Sequence, residues 1–149
     1  MSQGEVAPYC GGSILTIRFI LTAGHCTIDT ITENTKDPSS IFILLEAHDV
    51  THLDVDKHNV SAITQHPKFN KGEYDFAILT VAAPITFSST VGPICLPAST
   101  QSLYTDEVAT VTGWGLTGDG YPSTTLQEVD VTVVSNEKCH DSYPGKIKE

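Results

Sequence analysis

Two acid–base side chains stand in settings that could support chemistry. His25 lies in Thr22-Ala23-Gly24-His25-Cys26, directly after the apolar run Phe19-Ile20-Leu21. That order puts an imidazole at a strand end beside a cysteine, among small residues that let the backbone turn tightly. An imidazole so placed can act as a general base near neutral pH. Asp75 opens the otherwise apolar run Phe76 to Val81, where a carboxylate needs a partner to be tolerated. Taken singly, a histidine at a strand end is more often structural than catalytic, and a strand-start aspartate is more often a solvated turn residue. A third group, His48, His52 and His58 with Asp49, Asp54 and Asp56, has the composition of a metal loop; a solvated polar loop is the preferred reading.

The elements that must carry these residues are short strands. Ile14-Leu15, Phe19-Ile20-Leu21, Ile41 to Leu45, Phe76 to Val81 and Val108 to Thr112 are β-branched or aliphatic runs of strand length. From Glu128 to Val134 the alternation places Val129, Val131 and Val133 on one face and acidic residues on the other, predicting a half-buried antiparallel strand. Glycine and proline clusters at Asp37 to Ser40, Lys71-Gly72 and Thr117 to Pro122 predict turns. Helix is expected in two places only: a turn around Ala23 to Cys26, and Ser135 to about Tyr143, with Ser135 capping the start. The fold class is all-β with small helical pieces. Pro93-Ile94-Cys95-Leu96-Pro97 reads as a connection between two domains.

Composition narrows the function. The chain has 149 residues, 40% of them hydrophobic and 17% charged, which suits a domain that buries a core. Its net charge of −10 repels phosphate backbones and anionic headgroups, so neither a nucleic acid nor a membrane surface is an expected partner. Cys10, Cys26, Cys95 and Cys139 are spaced too widely for a C-x-x-C zinc or redox motif, and disulfides are the better reading. No apolar run is long enough to span a bilayer, and the first ten residues do not form a signal peptide.

Ordered motifs then connect these observations. Cys10-Gly11-Gly12-Ser13-Ile14-Leu15 precedes Leu21-Thr22-Ala23-Gly24-His25-Cys26, followed by His66-Pro67-Lys68-Phe69-Asn70, Asp75-Phe76-Ala77-Ile78-Leu79, Val91-Gly92-Pro93-Ile94-Cys95-Leu96-Pro97 and Thr112-Gly113-Trp114-Gly115. In this order and spacing the chain resembles the trypsin/chymotrypsin-like serine endopeptidases over nearly its whole length. The resemblance implies an all-β, trypsin-like antiparallel β-barrel. Residues 1–97 would form a nearly complete first barrel with His25 and Asp75, and residues 98–149 the first part of a second. It implies that His25 is the catalytic base, that Asp75 accepts the hydrogen bond from its other ring nitrogen, and that Cys10 pairs with Cys26; the first two are the roles of the family's Ser-His-Asp triad. It implies no cofactor, and no metal ligands are assigned. The substrate of the complete form would be a protein or peptide, and the location secreted and extracellular.

The same resemblance marks departures. The nucleophilic serine is expected about 93 residues after the aspartate, beyond Glu149, and no Gly-Asp-Ser-Gly-Gly-Pro string occurs in the chain. Ser13, Ser61, Ser123, Ser135 and Ser142 lie in other motifs or turns. Only nine residues precede Cys10, so Met1 reads as a start imposed on an internal segment. Cys95 and Cys139 resemble positions whose partners lie outside this chain. Some relatives bind calcium in the loop holding His48, but Ala47 stands where they usually carry an acidic ligand. Asn59-Val60-Ser61 fits a glycosylation pattern beside a strand, and Trp114 reads as a packing residue. The expected function is therefore that of a partial serine-type endopeptidase, inactive alone for want of a serine and an oxyanion hole. A non-catalytic homologue serving as an extracellular binding module is the alternative. Open strand edges lead to an expectation of poor solubility for the isolated chain.

Overall fold

Runs of branched aliphatic residues become strands here because their side chains pack on a pleated, half-buried surface. The protein is described by a computed structural model over residues 8–52, 56–70, 73–98 and 103–145. It divides into two compact units between Leu96 and Pro97. Asp54, the Lys71-Gly72 turn and residues 99–102 that follow the expected connection lie outside the described residues.

The first unit holds five strands: β1 (Ser13–Ile14), β2 (Phe19–Thr22), β3 (Phe42–Leu45), β4 (Asp56–Gln65) and β5 (Ala77–Val81). They form one sheet in the order β1-β2-β5-β4-β3, with every neighbouring pair antiparallel. β5 is central, and its alternation buries Ala77, Leu79 and Val81 while Ile78 and Thr80 are half-buried. Ile20 of β2 and Ile63 of β4 stand opposite Leu79 on its two sides, and Ile41, Leu45, Val60, Ile85 and Val91 complete the core. Beyond β5, the backbone N–H of Ile94 donates to the carbonyl of Ile14, tying the end of the unit to β1.

The start of β4, Asp56 to His58, belongs to the stretch that the sequence suggests is a solvated polar loop, and this is a correction. His58, assigned to that loop, pairs with Ile43 in the β3–β4 ladder. The register slips between Val60 and Ala62, leaving Ser61 as an extra residue. This bulge bends the strand, so its first half ladders with β3 and its second half with β5. Ser61 donates its hydroxyl to the carbonyl of Thr80 across the bulge.

The second unit contains β6 (Val108–Gly113), β7 (Gln127–Thr132) and the helix α1 (Asn136–Ser142). Ser135 caps α1, its hydroxyl accepting from the backbone N–H of Lys138 at 3.2 Å, as the sequence predicts. The valine face of β7 departs from expectation: Val129 and Val131 are 57% and 42% exposed, and only Val133 is half-buried. The physical reason is that β6 and β7 form a two-stranded sheet with no further strand layer among the described residues of this unit. A short 3-10 turn at Pro38–Ser40, read as an ordinary turn from the sequence, is capped by Asp37, which accepts from Ser39 N–H. No helix among the described residues is long and apolar enough to cross a membrane.

Leu79→Ala should destabilise the first unit by about 2–5 kcal/mol through a cavity at the sheet centre. Val129→Ala should change stability by less than about 0.5 kcal/mol, since its face is open. Denaturant midpoints of the two variants check the contrast.

Candidate active site

β2 ends at Thr22, whose hydroxyl donates to the carbonyl of Gly11 at 2.8 Å and holds the Cys10-Gly11-Gly12 segment alongside. Ala23 is extended, and the chain then winds into a 3-10 turn over Gly24–Thr27 that carries His25 outward and Cys26 inward. Thr27 is 0% exposed, so its hydroxyl must be satisfied inside the protein. It donates to Gly24 carbonyl at 2.6 Å and accepts from Gln65 Nε2 at 2.7 Å, linking the turn to β4. Cys10 and Cys26 form the expected disulfide. Lys36 and Tyr9 both donate to the Cys26 carbonyl, and the Lys36 ammonium lies 3.9 Å from the Tyr9 ring centroid.

Gly24 sits where no side chain fits. A Cβ there would lie 2.8 Å from the Phe69 ring and 3.2 Å from Asp75 Oδ1. The absence of that atom is what allows the histidine turn to press against the aspartate.

Asp75 is positioned from the other side by an unusual backbone. Tyr74 is left-handed, with φ of 52°, a conformation that costs a non-glycine residue about 1–2 kcal/mol. Phe76 N–H donates back to Tyr74 carbonyl at 2.8 Å, closing a tight turn with Asp75 at its apex. The His66 ring stacks on Tyr74 at 4.7 Å and packs obliquely on Phe76 at 4.7 Å, holding both flanks. Tyr74 and His66 are supports that the sequence does not announce, since their stack joins residues eight positions apart, whereas Gly24 is among the small residues expected to let the backbone turn before His25.

These two constructions bring His25 and Asp75 together across 50 positions of sequence. Asp75 Oδ1 accepts from the His25 backbone N–H at 2.8 Å, and Oδ2 lies 2.7 Å from His25 Nδ1. The imidazole and then the backbone N–H of His25 hold the Asp75 carboxyl below its usual range, against an opposing push from burial. An ionised carboxylate only accepts. Nδ1 therefore carries a proton, and in the neutral ring the lone pair stands on Nε2, which can then take a proton from an approaching hydroxyl. The His25 side chain is 65% exposed, and its Nε2 lies 3.6 Å from Cys26 Sγ.

The other sequence candidates do not converge. His52 Nδ1 lies 3.4 Å from Asp49 Oδ2 and His58 Nε2 2.7 Å from Asp56 Oδ2, as two separate contacts. Among the described residues they form no three-ligand group. Cys95 and Cys139 are free thiols, Cys95 exposed and Cys139 partly covered. Ser61, Ser123, Ser135 and Ser142 spend their hydroxyls locally, on Thr80, Thr125, the α1 cap and Lys138.

The family model described as Trypsin matches residues 1–149. The chain belongs to the trypsin family. Serine proteinase stubble of Drosophila melanogaster is 37% identical over 142 residues, covering 90% of this chain and 17% of that protein. Venom serine protease of Polistes dominula is 35% identical over 146 residues, covering 93% of the chain and 51% of that protein. CLIP domain-containing serine protease B15 of Anopheles gambiae is 32% identical over 157 residues, covering 96% and 43%. The trypsin-family chain thus spans about half or less of the length of these relatives.

Gly24→Ala should lower stability by about 1–3 kcal/mol by overpacking and weaken the His25 Nδ1–H signal in proton NMR; an unchanged signal would show that the contact is not tight. Because the Asp75 carboxyl is depressed in the folded state, its contribution is present above the unfolded value of about 3.9 and is lost as pH falls through the folded value. Asp75→Asn should therefore be less stable than the parent at pH 6, with the gap closing below about pH 4. Urea unfolding across that range reads it directly.

Proposed function

We propose that this chain carries the His/Asp half of a secreted serine-type endopeptidase, and that the complete protein hydrolyses peptide bonds in protein substrates. The observation that carries the reading is the 2.7 Å approach of His25 Nδ1 to Asp75 Oδ2, with the His25 side chain 65% exposed. In this reading Nε2 takes the proton of a serine hydroxyl as that oxygen bonds to the substrate carbonyl. Asp75 stabilises the imidazolium that forms, and His25 then returns the proton to the leaving amine. Membership of the trypsin family and the similarity to proteins named as serine proteases support the same chemistry. Cys10–Cys26 is consistent with an oxidising, extracellular setting.

In this reading the nucleophile lies outside these 149 residues, which contain no Gly-Asp-Ser-Gly-Gly-Pro string. The chain alone is therefore inactive in this reading. A tagged fluorophosphonate should leave its intact mass unchanged, and a stoichiometric adduct on one of its own serines would overturn the assignment. In the complete protein, Asp75→Asn should lower kcat by about 10⁴-fold, the size of the loss recorded for the triad aspartate of this family. Peptide hydrolysis indifferent to His25→Ala or Asp75→Asn would sink the reading.

A further inference from the structure

Asn59-Val60-Ser61 joins an asparagine to a hydroxyl two positions on with no proline between, the acceptor pattern for an N-linked oligosaccharide. Asn34, Asn70 and Asn136 are followed two positions on by Lys36, Gly72 and Lys138, so the pattern occurs once in the chain. In the fold Asn59 and Ser61 are exposed while Val60 between them is 4% exposed. β4 thus turns both acceptor residues outward and the intervening side chain into the core. Asn59 meets its ladder obligations through the backbone, pairing with Phe42 and accepting at its carbonyl from Ala82 N–H at 2.8 Å. Its carboxamide makes no hydrogen bond among the described residues, so a substituent on Nδ2 displaces no contact there.

Phe42 supplies the second observation. Directly opposed residues of an antiparallel pair share a face, as do residues two apart on one strand. Asn59 therefore shares the outer face with Phe42 and Lys57, and the Lys57 ammonium lies 3.7 Å from the Phe42 ring centroid. The half-buried ring is an apolar patch among polar neighbours, with a cation over it in place of an apolar layer. The C–H face of a sugar held on Asn59 has that ring within reach.

We infer that Asn59 is an N-linked glycosylation site, and that the first N-acetylglucosamine of its oligosaccharide packs against Phe42 on the outer face of the β3–β4 ladder. The transfer forms a bond from Asn59 Nδ2 to the anomeric carbon of the sugar. The bond from that carbon to the pyrophosphate of a lipid-linked oligosaccharide breaks, the lipid pyrophosphate leaves with the electron pair, and the Nδ2 proton passes to a base of the transferring enzyme. That donor is met in the secretory pathway, so the inference rests on the secreted reading above. Asn59 stands six positions of β4 before Gln65, which bonds Thr27 in the His25 turn, roughly 20 Å of strand at about 3.4 Å per residue. The register agrees: Gln65 faces Ala77, two residues from Asp75, whereas Val60 faces Val81 at the other end of β5. The oligosaccharide is rooted well away from the catalytic pair.

The test expresses the complete protein from its full coding sequence in cultured eukaryotic cells and collects the medium. Treatment with a peptide N-glycosidase in heavy-oxygen water, followed by peptide mapping, should convert Asn59 to heavy-labelled aspartate in most molecules. Ser61→Ala should abolish the conversion, and Asn59→Gln should lower the intact mass by one oligosaccharide. Because the site is remote, Asn59→Gln should hydrolyse a small peptide with kcat/KM within about twofold of the parent. Amine acetylation of Lys57 should be at least about threefold slower in the parent than in Asn59→Gln, since the sugar covers the ring on which the ammonium lies. Secreted, proteolytically active protein with Asn59 unconverted would overturn the site and leave the endopeptidase reading standing. Conversion on a secreted protein that lacks peptidase activity would support the site and count against that reading. Equal acetylation of Lys57 in the two forms would overturn the packing on Phe42, and protein retained in the cytosol with Asn59 bare would overturn the site together with the secreted setting.

Discussion

The Asp75 carboxylate must be satisfied at the entrance of an apolar strand, and a single residue satisfies both of its oxygens. The backbone N–H and the ring Nδ1 of His25 each bond one oxygen. Position and protonation state are thereby set together: the backbone bond fixes where the turn sits, and the ring bond fixes which nitrogen holds the proton. The cost is topological, since a contact between residues 50 positions apart forms only after the intervening chain has been ordered. β2 and β5, neighbours in the sheet, discharge that cost by delivering the two residues from adjacent strand ends.

Rigidity on the histidine side comes from small groups used at close quarters. Gly24 removes a Cβ that would meet Phe69 and Asp75, Thr27 turns its hydroxyl inward to fasten the turn to Gln65, and the disulfide anchors its far end. On the aspartate side the scaffold is aromatic, with His66 stacked on Tyr74 and packed on Phe76. The left-handed Tyr74 is tolerated because the surrounding contacts over-determine it.

The apolar strands were legible because their composition and length admit little else. β5 and the core-facing residues of β2 announce themselves as Phe76 to Val81 and Phe19 to Leu21, and the Ser135 cap announces α1. β4 was not legible, for a reason visible in its register. Val60 and Ile63 both face the core, yet they are three residues apart, an odd interval that period-two reading places on opposite faces. The bulge at Ser61 restores them to one side. Its first half, Asp56-Lys57-His58-Asn59, is polar throughout and gives no strand signal, although it pairs with β3 residue for residue. The sites divide the same way: His25, Asp75 and the Cys10–Cys26 pair follow from ordered motifs, whereas the supports at Tyr74, His66 and Thr27 depend on non-local packing and long-range hydrogen bonding that a linear reading does not contain.

The β6–β7 hairpin carries a different lesson about durability. A two-strand ladder with its valines facing solvent has little apolar burial to resist opening, so its amides are guarded by the ladder bonds and not by a sealed interior. The sheet around Leu79 can open only by exposing a dry core. The polypeptide should therefore breathe unevenly along its length: amide protons of Val108–Gly113 and Gln127–Thr132 are expected to exchange with water through shallow local fraying, and those of Ala77–Val81 through wholesale unravelling of the first unit.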